Sequence, residues 1–87
     1  MLKNSATQTI GNTPLLRMTR LKNSLGLKSD IFAKLEFLNP AGSIKDRVAE
    51  EIIASAIREG KINAKTTVIE ATSGNTGIGL AFCCACR

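Results

Sequence analysis

Two stretches decide the fold: Asn39-Pro40-Ala41-Gly42-Ser43-Ile44-Lys45-Asp46-Arg47 and Glu70-Ala71-Thr72-Ser73-Gly74-Asn75-Thr76-Gly77-Ile78-Gly79. The first places a single lysine at the opening of a predicted helix. The second places a loop rich in glycine and hydroxyl side chains between a predicted strand and a predicted helix. Both stretches therefore bring polar groups to helix N-termini, where unpaired N–H groups and the helix dipole favour anions.

A helix is predicted over residues 43–59, because apolar side chains recur there at helical spacing and define one face. These side chains are Ile44, Val48, Ile52, Ile53, Ala56 and Ile57. Ser43 is a suitable N-cap, and Asp46 would complete an acidic variant of the capping box. Gly60 suits the C′ position that ends a helix.

Short strands are predicted over residues 15–18 and 30–37, and a β-branched strand over residues 66–70. The residues from 78 to 85 are apolar almost all round, which is typical of a helix buried in its parent structure. Strand, helix, strand and helix in this order predict an α/β fold with a parallel sheet. A chain of 87 residues without repeats forms one small domain at most.

The composition argues against several classes of partner. The net charge is +5, from twelve Lys and Arg against seven Asp and Glu. The basic residues are spread among leucines and lack the stacking aromatic residues of a nucleic-acid surface, so no nucleic-acid partner is expected. No stretch approaches the roughly 20 apolar residues of a membrane span, so no membrane partner is expected.

Three cysteines lie near the C-terminus, at Cys83, Cys84 and Cys86. The spacing of Cys83 and Cys86 could indicate a redox or metal pair. The chain has no histidine and no second cysteine pair, so it cannot form a closed four-ligand zinc site by itself. The odd number of cysteines and the lack of a secretory leader predict a cytoplasmic protein whose cysteines pack on an apolar helix.

Lys45 is the candidate nucleophile. In the first helical turn the positive dipole disfavours an ammonium, so the neutral amine that reacts with aldehydes is easier to reach. Ile44 and Val48 would supply a dry wall beside it. An isolated helix lysine is usually a solvated surface group, so this interpretation depends on the residues around it. Among these, Arg47 is expected to be structural and to pair with Glu51 one turn later.

The loop at residues 72–76 is the candidate anion site, because it follows a strand and opens a helix. Gly74, Gly77 and Gly79 would allow close approach and positive φ. The alternative is an ordinary strand-to-helix turn. The order of the glycines is not that of a dinucleotide-binding fingerprint, and the lysine and hydroxyl residue of a P-loop are missing.

The lysine segment and the loop resemble those of cysteine synthases and cystathionine β-synthases, and the opening at residues 10–15 is similar to theirs too. The resemblance runs over nearly the whole chain but covers only the first part of the family's chain. It implies an incomplete N-terminal fragment of the tryptophan-synthase-β-like fold of pyridoxal-phosphate enzymes, an α/β fold with a parallel sheet. Residues 1–87 would then be a partial N-terminal region, with no complete second domain.

The resemblance also implies the site. Lys45 would hold pyridoxal 5'-phosphate covalently and act as acid and base at the substrate α-carbon. Asn75 would hydrogen-bond the phenolic oxygen of the cofactor. The residues expected to bind the substrate α-carboxylate are Thr72, Ser73, Gly74, Asn75 and Thr76. No metal is implied.

For the complete parent protein, the resemblance implies a cysteine synthase: β-replacement of O-acetylserine with sulfide to give L-cysteine, in a homodimer. The alternatives are a non-catalytic truncated fragment or pseudogene product, or a fragment of a cystathionine β-synthase-like enzyme. The loop that holds the cofactor phosphate in the family is absent from this chain. The 87 residues are therefore expected to be inactive alone and to expose apolar faces.

Overall fold

The computed structural model describes residues 1–87. In chain order its elements are a 3₁₀ helix (Ala6–Thr9), β1 (Leu15–Arg17), α1 (Thr19–Ser24), β2 (Phe32–Lys34), a second 3₁₀ helix (Glu36–Leu38), α2 (Lys45–Arg58) and α3 (Asn75–Ala85). None of these helices is both long enough and apolar enough to cross a membrane.

The sheet consists of two antiparallel strands, β1 and β2, with Leu15 opposite Lys34 and Arg17 opposite Phe32. The guanidinium carbon of Arg17 lies 4.8 Å from the centroid of the Phe32 ring, a favourable cation–π distance. The predicted strand at residues 30–37 is shorter than expected, because the chain turns into the second 3₁₀ helix after β2.

The predicted strand at residues 66–70 is not formed, and the parallel sheet that it would join is therefore not realised within this chain. No N–H group from Thr67 to Ala71 donates a hydrogen bond to another backbone group. A strand needs a neighbouring strand that satisfies these groups, and no strand pairs with this segment.

The helix predicted at residues 43–59 is confirmed as α2, with both ends slightly shorter. Its N-cap is Ile44 rather than Ser43, and the Ser43 hydroxyl accepts a hydrogen bond from the N–H of Lys45 at 3.1 Å. Gly60 is confirmed as the C′ residue, with φ +71°. Its N–H donates to the carbonyl of Ile57 at 3.1 Å, which helps to close the last turn.

The core lies between α2 and α3 and consists of Ala49, Ile53, Leu80 and Cys83. The two helices run in the same direction. Lys45, at the start of α2, lies beside Gly79 in the first turns of α3. Further along α2, Glu50 forms an ion pair with Arg87, which follows the end of α3.

Many apolar side chains remain exposed to solvent. Eight residues are buried, and the radius of gyration is 17.0 Å, against about 12 Å for a compact domain of this length. On α2, α3 covers the flank of Ala49 and Ile53, whereas Val48 and Ile52 of the predicted apolar face stay about half exposed. The predicted exposure of this apolar face is therefore confirmed, because α3 covers only one flank of the helix.

Candidate functional site

The contact between α2 and α3 places the two sequence motifs side by side. A Cβ atom added at Gly79 would lie 3.0 Å from the carbonyl oxygen of Lys45 and 3.2 Å from the Cβ of Ala49. A side chain at this position would therefore be crowded against α2, and glycine allows the close approach. Gly79 is four residues into α3, about 6 Å along the helix axis, so the backbone of Lys45 lies beside the first turns of α3.

Lys45 is the first residue of α2 and is exposed. It takes part in none of the six ion pairs of the structure. Its amine is therefore open to a reagent from solvent.

A polar network centred on Glu36 fixes the segment that leads to Lys45. The carboxylate of Glu36 accepts hydrogen bonds from Nε of Arg47 at 2.8 Å and from Nη2 at 3.1 Å, a bidentate pair. Thr13 donates its hydroxyl to the same carboxylate, and Asn39 donates Nδ2 to it at 2.9 Å. Asn39 in turn accepts from the N–H of Gly11 at 2.8 Å. The N-terminal turn, the second 3₁₀ helix and α2 are thus joined.

The hydrogen bonds of this network favour the charged forms of Glu36 and Arg47. The hydrogen bonds from Arg47, and then those from Thr13 and Asn39, lower the pKa of Glu36 from 4.5 to about 2. The same carboxylate raises the pKa of Arg47. Thr13 and Asn39 are 6% and 4% exposed, so two of the side chains that hydrogen-bond to Glu36 are buried.

The predicted pairing of Arg47 with Glu51 is wrong. Arg47 is structural as expected, but its partner is Glu36, eleven residues earlier in the chain. Glu51 instead accepts from the Ser55 hydroxyl at 2.7 Å and pairs with Arg58 at 3.3 Å. A bidentate pair with buried neighbours prevails over a single exposed pair on the helix surface.

Asp46 is fully buried, and its role differs from the predicted capping box. Its Oδ2 accepts a hydrogen bond from the N–H of Ala41 at 2.6 Å, which holds the preceding turn against α2. Its Oδ1 is buried without a hydrogen-bond partner. Asp46 therefore anchors the turn before Lys45 rather than the first residue of the helix.

The cysteines behave differently from one another. Cys83 is fully buried, and burial, followed by the nearby Glu50, raises its pKa to about 12, so the thiol stays protonated at neutral pH. Its predicted packing role is confirmed, whereas Cys84 is exposed. No group of three or more His, Cys, Asp or Glu side chains could hold a metal ion.

The loop leads directly into α3. Gly74 is the N-cap and has no side chain to offer, and the Oγ1 of Thr72 accepts from the N–H groups of Gly74 at 3.2 Å and Gly77 at 3.1 Å. The N–H groups of Asn75 and Thr76 lie in the first turn and have no intrahelical partner. Positive φ is not found at the glycines of this segment, because Gly74 is extended and Gly77 is helical.

The structure brings the start of α2 and the start of α3 to the same end of the helix pair. Lys45 and the loop at residues 72–76 thus share one end, with two parallel dipoles pointing towards it. No hydrogen bond joins the side chains of Lys45 and Asn75.

Two cavities lie away from Lys45, between residues 62–72 and α3. One has a volume of about 310 Å³ and reaches Thr72 and Gly77. The other has a volume of about 270 Å³, and both are lined by Val68 and Cys84. These cavities lie on the apolar side of α3, which residues 67–71 do not cover completely.

Sequence reasoning missed the Glu36 network, because no local spacing rule links residues so far apart. One signal was available at Gly11. Its φ is +90°, and a Cβ atom there would lie 3.1 Å from Nη1 of Arg47. Glycine at this position is therefore favoured by the positive φ of the turn, and it also leaves room for the guanidinium of Arg47.

Comparison with known proteins gives a consistent result. Residues 6–87 match the family described as pyridoxal-phosphate dependent enzyme. The chain is 51% identical over 78 residues to a cystathionine β-synthase of Apis mellifera, covering 90% of this chain and 16% of that protein. It is 49% identical over 81 residues to a cysteine synthase of Staphylococcus aureus, covering 93% of this chain and 26% of that one.

Among solved structures, the chain superimposes on the O-acetylserine-dependent cystathionine β-synthase of Helicobacter pylori with a TM-score of 0.84 and 46% identity. The match covers 95% of this chain and 27% of that one. The chain thus spans about a quarter or less of the length of these relatives. Its small α/β structure is part of the fold that these enzymes share, as the resemblance implied. The chain belongs to the family of pyridoxal-phosphate-dependent enzymes that includes the cysteine synthases and cystathionine β-synthases.

Proposed function

We propose that this chain supplies the lysine and the carboxylate-binding loop of a cysteine-synthase-like β-replacement site. In the complete protein the reaction would replace the acetoxy group of O-acetylserine with sulfide, giving L-cysteine and acetate. The observation that carries the proposal is the Gly79 contact, which sets Lys45 beside the first turns of α3. A cystathionine β-synthase-like reaction on the same site is the alternative, because relatives of both kinds match at similar identity.

The residues present fit the cofactor. The amine of Lys45 is exposed and takes part in no ion pair, as condensation with an aldehyde requires. The paired helix N-termini favour anionic groups, such as a substrate carboxylate. Pyridoxal phosphate, when bound, would supply an electron sink for bond breaking at the α-carbon of an amino acid.

Each site residue then has a role. Lys45 would hold the cofactor and transfer the proton at the substrate α-carbon, and Asn75 would orient the cofactor ring. The loop would bind and orient the substrate carboxylate through backbone N–H and hydroxyl groups. This loop consists of Thr72, Ser73, Gly74, Asn75 and Thr76. Homodimeric assembly and a cytoplasmic location stay predictions for the complete protein.

The test is selective labelling of the 87-residue chain. The chain is incubated with pyridoxal phosphate, reduced with borohydride and digested, and the modified lysine is located by peptide mass. We expect the label to concentrate at Lys45. Lys45→Arg should remove that label, whereas the matched surface variant Lys61→Arg should leave it unchanged. Label spread evenly over the surface lysines would contradict a selective site.

A second candidate function is favoured by the unpaired segment at residues 67–71 and by the half-exposed apolar face of α2. We infer from them a non-catalytic piece that completes its fold against the rest of a family chain supplied separately. The loss of several backbone hydrogen bonds and of apolar contacts makes such a piece incomplete by itself.

Mixing distinguishes the two candidates. The 87-residue chain is combined with a cysteine synthase of Staphylococcus aureus that lacks its matching region, and circular dichroism and cofactor absorbance are followed. A gain of structure in the mixture without cofactor binding supports the non-catalytic piece, whereas cofactor binding in the mixture supports the catalytic site in the completed fold. Binding by the 87 residues alone supports an independent site.

A further inference from the structure

Cys83 and Cys86 form a sequence pattern that the proposed function leaves unused. They stand three residues apart at the end of α3, and Cys86 is its C-cap, with helical φ −75° and ψ −9°. Helical geometry sets their Cα atoms about 5 Å apart, within the range of about 4.4–6.8 Å that a disulfide spans. Cys84 faces neither of them, because residues one or two apart on a helix do not face each other.

The two thiols differ in their access to solvent. Cys83 is fully buried in the core between α2 and α3, whereas Cys86 is half-buried. A small reagent from solvent therefore reaches Cys86 first. Burial, followed by Glu50 and then by Asp46 and Cys86, raises the pKa of Cys83 to about 12. Because a thiolate is the species that attacks a disulfide, Cys83 can react only if a neighbouring group takes its proton.

A carboxylate beside the buried thiol can take this proton. The Oε1 atom of Glu50 accepts a hydrogen bond from Arg87, which leaves Oε2 as the second oxygen of the carboxylate. This Oε2 is buried and has no hydrogen-bond partner. An unpaired buried acceptor is costly, and a thiol is a weak donor that can supply its missing proton.

Glu50 suits this role better than Asp46, which lies one turn earlier on α2. The Oδ1 atom of Asp46 is also buried and unpaired. Asp46 is fully buried, however, whereas the side chain of Glu50 is 25% exposed and can return a proton to solvent. Glu50 also has the larger influence on the pKa of Cys83, after burial itself.

We propose that Cys83 and Cys86 are a dithiol that exchanges with small-molecule disulfides, and that Glu50 accepts the proton of Cys83 during the exchange. The pair lies at the end of α3 that is opposite to the loop at residues 72–76. The proposal therefore does not rest on the proposed function. No group of three His, Cys, Asp or Glu side chains that could hold a metal forms here, so the spacing is assigned to thiol chemistry.

The exchange takes two steps. First, the thiolate of Cys86 attacks one sulfur of the small disulfide, and a mixed disulfide forms while one thiolate leaves and takes up a proton. Second, Cys83 gives its proton to Oε2 of Glu50, and its sulfur attacks the Sγ atom of Cys86. The mixed disulfide breaks, and the second thiolate leaves and takes the proton from Glu50. The two cysteines lose two electrons, and the small disulfide becomes two thiols.

The pairing is tested with glutathione disulfide as the probe and the full 87-residue chain in a Cys84→Ala background. The reaction is stopped with acid and followed by intact mass. We expect an internal disulfide without bound glutathione. A further Cys83→Ala substitution should leave glutathione bound at Cys86, whereas Cys86→Ala should leave the chain nearly unreacted. Glutathione that stays bound in the Cys84→Ala chain, or no reaction there, would overturn the pairing.

The role of Glu50 is tested by separate rates for the two steps. Glu50→Gln keeps an oxygen that can accept from Arg87 but cannot take a proton at neutral pH. We expect it to slow closure of the internal disulfide about a hundredfold, with little change in the formation of the mixed disulfide. Glu51→Gln, on the exposed surface of the same helix, is the matched control and should change neither rate.

Two further readouts separate a proton acceptor from a merely structural residue. Glu50→Asp keeps a carboxylate and should close faster than Glu50→Gln, while circular dichroism of the reduced chains shows whether each variant keeps its helices. Equal closure rates in Glu50→Asp and Glu50→Gln would overturn the proton-acceptor role. Faster reaction of Glu50→Gln in both steps would overturn it too, because Glu50 would then only keep Cys83 covered.

Discussion

The segment around Lys45 and the segment at residues 66–71 contrast sharply, although both carry clear sequence patterns. The first is held by the carboxylate of Glu36, by buried Asp46 and by the packing of α3 at Gly79. The second has no strand partner, and Ile69 within it is 88% exposed. Each segment forms its predicted structure to the extent that this chain contains its partners.

This difference explains how a chain with a small core can still present a defined lysine. Ala49, Ile53, Leu80 and Cys83 form the entire buried apolar cluster. Polar contacts with partners far away in sequence supplement it at the start of α2. The end of the helix pair that carries Lys45 is therefore its better supported end, whereas the apolar side of α3 is less covered.

The largest effect should come from breaking the helix contact. Gly79→Val would push a branched side chain against the backbone carbonyl of Lys45, so the two helices would have to move apart. We expect a loss of about 3 kcal/mol in the free energy of unfolding, at the upper end for overpacking. Urea denaturation followed by circular dichroism measures it. Ala85→Val, at an exposed position of α3, is the control and should cost far less. Similar losses in both would show that the contact is not tight.

A smaller, pH-dependent effect should come from Glu36→Gln. The folded-state pKa of Glu36 is lowered from 4.5 to about 2. Because it is lowered, Glu36 contributes stability above pH 4.5 and loses that contribution as the pH falls towards 2. The variant lacks this contribution, so its urea midpoint should fall less than that of the wild type between pH 5 and about 2.

The matched control for this prediction is Glu51→Gln. Its carboxylate also has a lowered pKa, through Ser55 and Arg58, but it stands on an exposed helix surface. We therefore expect it to change the pH dependence less than Glu36→Gln does. A larger change in pH dependence from Glu51→Gln than from Glu36→Gln would contradict the view that the Glu36 network contributes more to stability.

The smallest effect should come from the unpaired segment. Ile69→Thr removes apolar surface that is already in solvent, so the free energy of unfolding should change by no more than about 0.5 kcal/mol. The same substitution at Ile53, which is 4% exposed, should cost about 2 kcal/mol or more. Thermal melts of the two variants compare them directly. A costly Ile69→Thr would mean that the segment is packed.

Local patterns in the sequence predicted the elements that depend on local physics. The apolar spacing predicted α2, and Gly60 predicted its end. The loop followed by apolar residues predicted α3. Local rules failed where a distant partner decides. Arg47 binds Glu36 instead of Glu51, and residues 66–70 stay unpaired because strand pairing is non-local.

The candidate site was predicted in a different way. The roles of Lys45 and of the loop came from resemblance, and the family match supports the family but not each residue's role. The close approach at Gly79 was foreseen as a property of glycine, whereas its partner could be known only from the fold. The dual hydrogen bond of Thr72 could not be inferred, because an N-cap is expected at the residue beside the helix.

The most direct test of the central claim, that packing of α2 on α3 brings the residues of the candidate site together, is one NMR contact. The Hα protons of Gly79 lie in the direction of the Ala49 methyl group, because a Cβ at Gly79 would be 3.2 Å from it. We predict a strong nuclear Overhauser effect between these protons in the 87-residue chain. Its absence, in a sample where both helices show helical shifts, would mean that the helices form apart and that Lys45 and the loop are not brought together.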